Sequence, residues 1–230
     1  MKTLGLIGGT SWVSTADYYK LINEGVNEKL GDLNFSECMI YSLNYQVIKE
    51  NIDKNDWDKN LEIIMAAAIK LQNSGAKGIV LCANTMHLIA DRLQEKLNIP
   101  IIHIATATAN DIKSKGLKKV GMLGTRLTME RDFFSTNLAG HGIEMLIPED
   151  DDRGFIHYTI FEELGRGIFT WETKQRYLGI MQKLIAAGAE GIIAGCTEIP
   201  MLIKADEVTF PMFDTMALHA KAAVEFVVGE

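Results

Sequence analysis

Short apolar runs alternate along the chain with longer segments whose apolar residues recur every three or four positions. That is the pattern of strands and amphipathic helices in βαβ units of a parallel sheet. The first run, residues 3–7, empties into Gly8-Gly9-Thr10-Ser11-Trp12-Val13-Ser14-Thr15. The pattern predicts a helix next, capped by Ser14 or Thr15, with Asp17 in its first turn, Tyr18, Ile22, Val26 and Leu30 on one face, and Gly31 as its stop. A second strand, Cys38–Ser42, leads through an irregular stretch to a long helix over Trp57–Asn73. Strand 78–82, helix 86–97, strand 100–104 and helix 106–115 complete a first half. From Gly116 the order repeats as strand 120–123, helix 128–138, strand 143–146, a helix ending near Leu164, helix 171–187, an apolar strand running into Cys196, strand 208–213 and helix Thr215–Val228. The acidic run 148–152 reads as a solvated loop rather than a cation site, because no second acidic cluster completes one.

The two halves correspond residue by residue. Gly75-Ala76-Lys77-Gly78-Ile79 superposes without a gap on Gly188-Ala189-Glu190-Gly191-Ile192, Gly5 matches Gly121, and Pro100 matches Pro211, at offsets of 113, 116 and 111 residues. Slowly drifting offsets are what small loop deletions leave in a duplicated chain, so two homologous halves of about 110 residues are expected. The expected fold is α/β with two pseudo-symmetric lobes, residues 1–104 plus 214–230 and residues 105–213. Each is a parallel sheet flanked by helices, and the active site is expected in the cleft between them. The gapless match sets Ala83, not Cys82, opposite Cys196, and sets Cys82 opposite Gly195.

Composition narrows the partners. A net charge of −7 gives no electrostatic reason to expect nucleic acid or an anionic membrane. No stretch approaches the ~18 apolar residues of a span, and the run before Gly8-Gly9 is too short for a signal-peptide core, so a cytoplasmic protein is expected. Cys38, Cys82 and Cys196 are odd in number and, like the five histidines, lack metal-ligand spacing, so neither a disulfide nor a metal site is expected.

Ligands of open α/β sheets sit beyond the carboxyl ends of the strands, which selects the loops 8–15, 83–87, 124–128 and 196–200. Gly5, Gly8 and Gly9 do not spell a dinucleotide fingerprint. The loops do offer backbone N–H groups and the polar side chains of Thr10, Ser11, Asn84, Thr85, Thr125 and Thr197, which suit a carboxylate or phosphate or serve only as helix caps. Cys196 stands between Gly195 and Thr197 at an expected helix start, where the helix N-terminus would lower its thiol pKa and free a thiolate base. Cys82 is a weaker candidate, and Cys38 reads as structural.

The combination Leu6-Ile7-Gly8-Gly9-Thr10-Ser11-Trp12, Ser14-Thr15, Tyr18-Tyr19, Asn84-Thr85-Met86-His87 and Gly195-Cys196-Thr197-Glu198-Ile199 resembles the aspartate/glutamate racemase superfamily across nearly the whole chain. The resemblance implies racemisation of an amino acid, aspartate or glutamate, without pyridoxal phosphate or any other cofactor. One group removes the Cα proton from one face and another supplies a proton to the opposite face. Without an electron sink, donors such as Asn84, Thr85 and Thr197 must hold the α-carboxylate as charge develops. Gly9, Thr10, Thr125, Leu164 and Glu198 join them as substrate-binding candidates. The family's first-half acid/base, cysteine or threonine, precedes Asn-Thr; Ala83 holds that place here and has no proton to exchange. The alternatives are a single-thiol isomerase or decarboxylase of the same superfamily and a catalytically silent protein that binds an amino acid or dicarboxylate. Lys49 and Arg166 are nearby candidates for a side-chain carboxylate, and the resemblance allows a homodimer.

Overall fold

In the computed structural model, which describes residues 1–229, each half of the repeat builds a four-stranded parallel sheet. The chain divides into two compact units, Met1–His103 together with the stretch from His219 onward, and Ile104–Leu218. The first unit runs β1 Leu4–Gly8, α1 Trp12–Leu30, β2 Cys38–Ser42, α2 Tyr45–Asp53, α3 Trp57–Asn73, β3 Gly78–Leu81, a 3₁₀ turn Asn84–Ile89, α4 Ala90–Gln94 and β4 Ile101–Ile102. Its strand order is β2-β1-β3-β4. The second unit runs α5 Ile104–Ser114, β5 Lys119–Leu123, α6 Arg126–Glu130, α7 Asp132–Gly140, β6 Glu144–Leu146, α8 Asp150–Glu162, a 3₁₀ turn Leu164–Arg166, α9 Trp171–Ala186, β7 Ile192–Ala194, α10 Ile199–Leu202, a 3₁₀ turn Ala205–Glu207 and β8 Met212–Asp214. Its order is β6-β5-β7-β8. Helix α11, Thr215–Val228, closes the chain.

The drifting offsets of the repeat reappear as sheet register. Gly5 pairs with Ile79 exactly as its counterpart Gly121 pairs with Ile192, and Ile79 pairs with Ile101 as Ile192 pairs with Met212. Both glycines are required by the same packing. A Cβ on Gly5 would lie 2.9 Å from Cδ1 of Ile79 and 3.0 Å from Leu71, and one on Gly121 would lie 2.7 Å from Cδ1 of Ile192 and 2.8 Å from Leu184. In each unit the leading strand and the helix beside it meet so closely that no side chain fits between them. Strands β1, β3 and β7 are buried along their whole length, as continuous apolar runs in a parallel sheet covered on both faces should be. The first core gathers Ile7, Ile64, Leu71, Ile79, Leu81 and Leu93; the second gathers Met122, Phe134, Tyr177, Leu184, Ile193 and Phe213.

Several expected boundaries are corrected. Helix α1 starts at Trp12 and its cap is Ser11, whose side chain accepts the Ser14 N–H; Asp17 is therefore beyond the first turn. Thr15 is unavailable as a cap because its hydroxyl donates to Ser11 O (2.8 Å) and accepts the Gly9 N–H (3.0 Å). The stretch expected to be irregular contains α2, capped by Asn44 and pinned inward by Ile48 and by Asn51, whose amide donates to Asn60 Oδ1 at 2.9 Å. The helix expected over 86–97 is a 3₁₀ turn followed by α4, since Ala83 at its head has no capping side chain. The helix expected over 128–138 is two, α6 and α7, separated by an extended Arg131. The acidic run is not a solvated loop. Asp150, Asp151 and Asp152 form the first turn of α8, at the positive end of its dipole, with Asp150 paired to Arg126 and Arg153 and the buried Asp152 paired to Lys183 at 2.7 Å. Among the described residues, no helix is long and apolar enough to cross a membrane.

Candidate active site

Parallel strands bring the segments after their carboxyl ends to one edge of each sheet, and the expected site residues fall there in two groups. In the first unit these are Gly9 and Thr10 after β1, and Ala83, Asn84 and Thr85 after β3. In the second they are Thr125 after β5, and Cys196, Thr197 and Glu198 after β7.

Gly9 makes the turn out of β1. Its φ is +87°, and a Cβ there would lie 2.2 Å from Leu43 O and 2.4 Å from Leu43 N, so the loop after β2 lies directly against it. Gly9→Ala combines left-handed strain with a backbone clash and is expected to cost about 2–4 kcal/mol, read as a shift in the denaturation midpoint. Thr10 is half-buried beyond it.

Ala83 is half-buried and extended, and packs at the margin of the first core. Its carbonyl accepts from Nδ1 of His87 at 3.1 Å, which ties down the turn carrying Asn84 and Thr85, both half-buried. Cys82, one residue earlier on the strand, is fully buried; its thiol donates only weakly, to Val80 O at 4.0 Å, and burial pushes its pKa up. Sequence reasoning missed what stands behind Ala83. His87 packs edge-on against His103 and His219, with ring centroids 4.8 and 5.3 Å away. His219 accepts from the Tyr18 hydroxyl at Nδ1 (2.8 Å) and donates from Nε2 to Ile102 O (2.5 Å). Burial lowers the pKa of all three imidazoles, that of His219 to about 4, so the cluster is neutral and uncharged. No local signal could have grouped residues so far apart in sequence.

In the second unit, the Gly195 N–H donates to Leu123 O at 2.7 Å and holds the end of β7 against β5, while the Thr215 hydroxyl donates to Ala194 O at 3.1 Å. Thr125 caps α6 through the Thr128 N–H. Cys196 follows, half-buried, and its thiol donates to Oε2 of Glu198 at 2.9 Å. The Thr197 hydroxyl donates to the same oxygen, also at 2.9 Å. The expected lowering of the Cys196 pKa is corrected here: burial, and then the Glu198 carboxylate, push it well above the ordinary thiol value. The helix meant to lower it, α10, has four residues and begins three positions later, too short and too far to offset a carboxylate in contact.

Leu164 lies in the second core at 2% exposure. Lys49 is paired to Asp53 at 2.6 Å and Arg166 to Glu162 at 2.5 Å, both on exposed helical turns. Among the described residues, no cluster of three or more His, Cys, Asp or Glu is placed to hold a metal ion.

Two units of one topology, each presenting a cysteine-or-alanine position and hydroxyl-bearing turns at its strand ends, define a duplicated α/β protein. The chain belongs to the Asp/Glu/hydantoin racemase family, whose model matches residues 7–223. It is 25% identical over 227 residues, 96% of each chain, to a broad specificity amino-acid racemase, RacX, of Bacillus subtilis (strain 168). Among solved structures it resembles a putative Asp/Glu racemase from Yersinia pestis, with 44% identity and a TM-score of 0.96 over 99% of this chain and 100% of that one. It also resembles an aspartate racemase homologue from Pyrococcus horikoshii OT3, with 36% identity and a TM-score of 0.88 over 99% of each chain.

Proposed function

We propose that the chain is an amino-acid racemase that works without pyridoxal phosphate, with aspartate or glutamate as substrate, and that Cys196 exchanges the proton at Cα. The observation that carries this reading is a half-buried thiol at the end of a buried strand, hydrogen-bonded to a carboxylate, in a chain of a racemase family. The choice of acidic substrates rests on the family's name and on the names of the two structural relatives; the broad specificity ascribed to the Bacillus relative makes neutral amino acids the first competitors.

In this reading Cys196 serves one face of Cα. As the C–H bond breaks, negative charge spreads into the substrate's α-carboxylate, which Asn84, Thr85, Thr197 and neighbouring backbone N–H groups hold by hydrogen bonds aimed at its oxygens. Removing the α-proton from a carboxylate-bearing carbon is the difficult step, and fixed donors in a poorly hydrated site lower its cost.

A second reading is favoured by one residue. Ala83, where the family places its other acid/base, offers no proton, which suits a single-thiol isomerase or decarboxylase that protonates a carbanion from one face. Both readings are tested by incubating the purified protein, without added cofactor, with each enantiomer of aspartate, glutamate and a panel of neutral amino acids in deuterated water. Chiral chromatography reads inversion and mass spectrometry reads α-deuteration. Inversion supports the racemase, one-sided deuteration the single-thiol enzyme. Neither reaction, with ligand-induced thermal stabilisation, identifies a silent binding protein and rejects both.

A further inference from the structure

The turn after β3 and the turn after β7 are copies of one another, yet they are fastened differently. At the offset of 113 residues Ala83, Asn84 and Thr85 correspond to Cys196, Thr197 and Glu198, and His87 corresponds to Pro200. In the second copy the proline ring fixes the backbone at the head of α10. In the first copy His87, 2% exposed, reaches back to the Ala83 carbonyl with Nδ1 at 3.1 Å. A carbonyl oxygen only accepts, so the ring proton is on Nδ1, and Nε2 carries a lone pair that is buried with no hydrogen-bond partner. A leucine would fill similar space without leaving that acceptor unpaired. The donated bond is what distinguishes the imidazole from an apolar side chain here.

Two further rings keep that bond aimed. His103 and His219 meet the His87 ring edge-on, and His219 is itself held by the Tyr18 hydroxyl at Nδ1 and the Ile102 carbonyl at Nε2. Burial, and next the neighbouring His103 and His219, hold the His87 pKa well below its ordinary value against the opposite pull of the Ala83 and Asn84 carbonyls, so the ring carries a single proton. The peptide joining Ala83 to Asn84 is planar and trans, and its C=O and N–H point in opposite directions. Fixing the C=O from the buried side therefore fixes the direction of the Asn84 N–H and the start of the turn on which Thr85 follows. We infer that His87 is a positioning residue for the turn after β3: its imidazole, with the proton on Nδ1, sets the direction in which Asn84 and Thr85 are presented to the substrate's α-carboxylate. The inference rests on the role proposed above for those two residues.

His87→Leu removes the donor at similar volume, whereas His87→Asn keeps an N–H near the place of Nδ1. For α-deuterium exchange of whichever amino acid the panel identifies, His87→Leu is expected to raise KM and lower kcat together, with kcat/KM falling by a factor on the order of 10², because the donors are displaced from the oxygens they should meet. His87→Asn is expected to recover roughly tenfold of that loss or more. A purely structural role would lower kcat with the folded fraction and leave KM unmoved. Nitrogen-15 NMR of the histidines, with His87 assigned by the signal that His87→Asn removes, is expected to show Nδ1 protonated and Nε2 bare at neutral pH. A kcat/KM for His87→Leu within about threefold of the wild type, loss of kcat with KM unchanged, equal loss in the Leu and Asn variants, or a proton on Nε2 overturns the inference. Should His87→Leu fail to fold, His87→Asn must keep kcat/KM within about tenfold of the wild type and the tautomer must be as stated; either failing overturns it. Asn84→Ala and Thr85→Ala separate the failures. If both match the wild type, their role falls and that of His87 with it. If either loses turnover while His87→Leu does not, only the role of His87 falls. No exchange by the wild type across the panel rejects the proposed function and this inference together.

Discussion

Cys196→Ala is expected to lower α-proton exchange and inversion by a factor on the order of 10²–10⁴, the range that a positioned acid/base contributes. The fold should survive. The change removes one sulfur atom from a half-buried position, the Thr197 hydroxyl still donates to Glu198, and the backbone bond from Gly195 to Leu123 that holds the loop is untouched. A thermal melt close to that of the wild type, with ligand binding retained and turnover lost, is the expected pair of results. Replacing Cys38, half-buried in β2, should leave turnover unchanged. Full activity in Cys196→Ala would sink the assignment.

The second large effect concerns Ala83. If Cys196 is the only functional acid/base, the wild-type protein should exchange the α-hydrogen of one enantiomer with solvent deuterium faster than it inverts that enantiomer. Restoring a donor by Ala83→Cys or Ala83→Thr should raise inversion by a factor on the order of 10², while one-sided exchange changes little. The site admits either side chain. Ala83 is extended, a conformation that threonine favours, and it is half-buried rather than enclosed. If the wild type already inverts as fast as Ala83→Cys, another donor must serve the second face, and Cys82→Ala then decides which. A thiol with no exposure and a strongly raised pKa is a poor candidate, so inversion is expected to survive that substitution, leaving water as the donor. Loss of inversion with one-sided exchange intact would assign the role to Cys82 instead.

The sequence is informative wherever a property depends on residues close together in the chain. Local apolar patterning and flanking breakers made β2 and the helices α3 and α11 legible to the residue, and the continuous apolar runs of the buried strands made the remaining strands legible to within a few positions. The duplication was legible because both copies satisfy the same packing demand, a glycine on the leading strand opposite an isoleucine on its neighbour, and the structure shows both pairs in the same register. The motif residues at the strand ends were legible as turn residues because parallel topology leaves the positions beyond each strand to turns.

Tertiary structure decided what depends on distance through space. Thr15 reads as a cap until its hydroxyl is seen engaged by Gly9 and Ser11, and the acidic run reads as a loop until Lys183 and Arg153 are seen beside it. The three histidines at 87, 103 and 219 are unremarkable in sequence and become one cluster, with His87 and His219 buried and His103 half-buried, only when α11 and the turn after β3 are folded together. The state of the Cys196 thiol was decided in the same way. Its place before a helix suggests a lowered pKa, but helix dipoles act weakly over a four-residue helix, whereas burial and a carboxylate oxygen 2.9 Å away act strongly. The sequence by itself determined which atoms stand at the strand ends; only the fold determined that the sulfur there keeps its proton, because the groups that set a pKa are those that touch it.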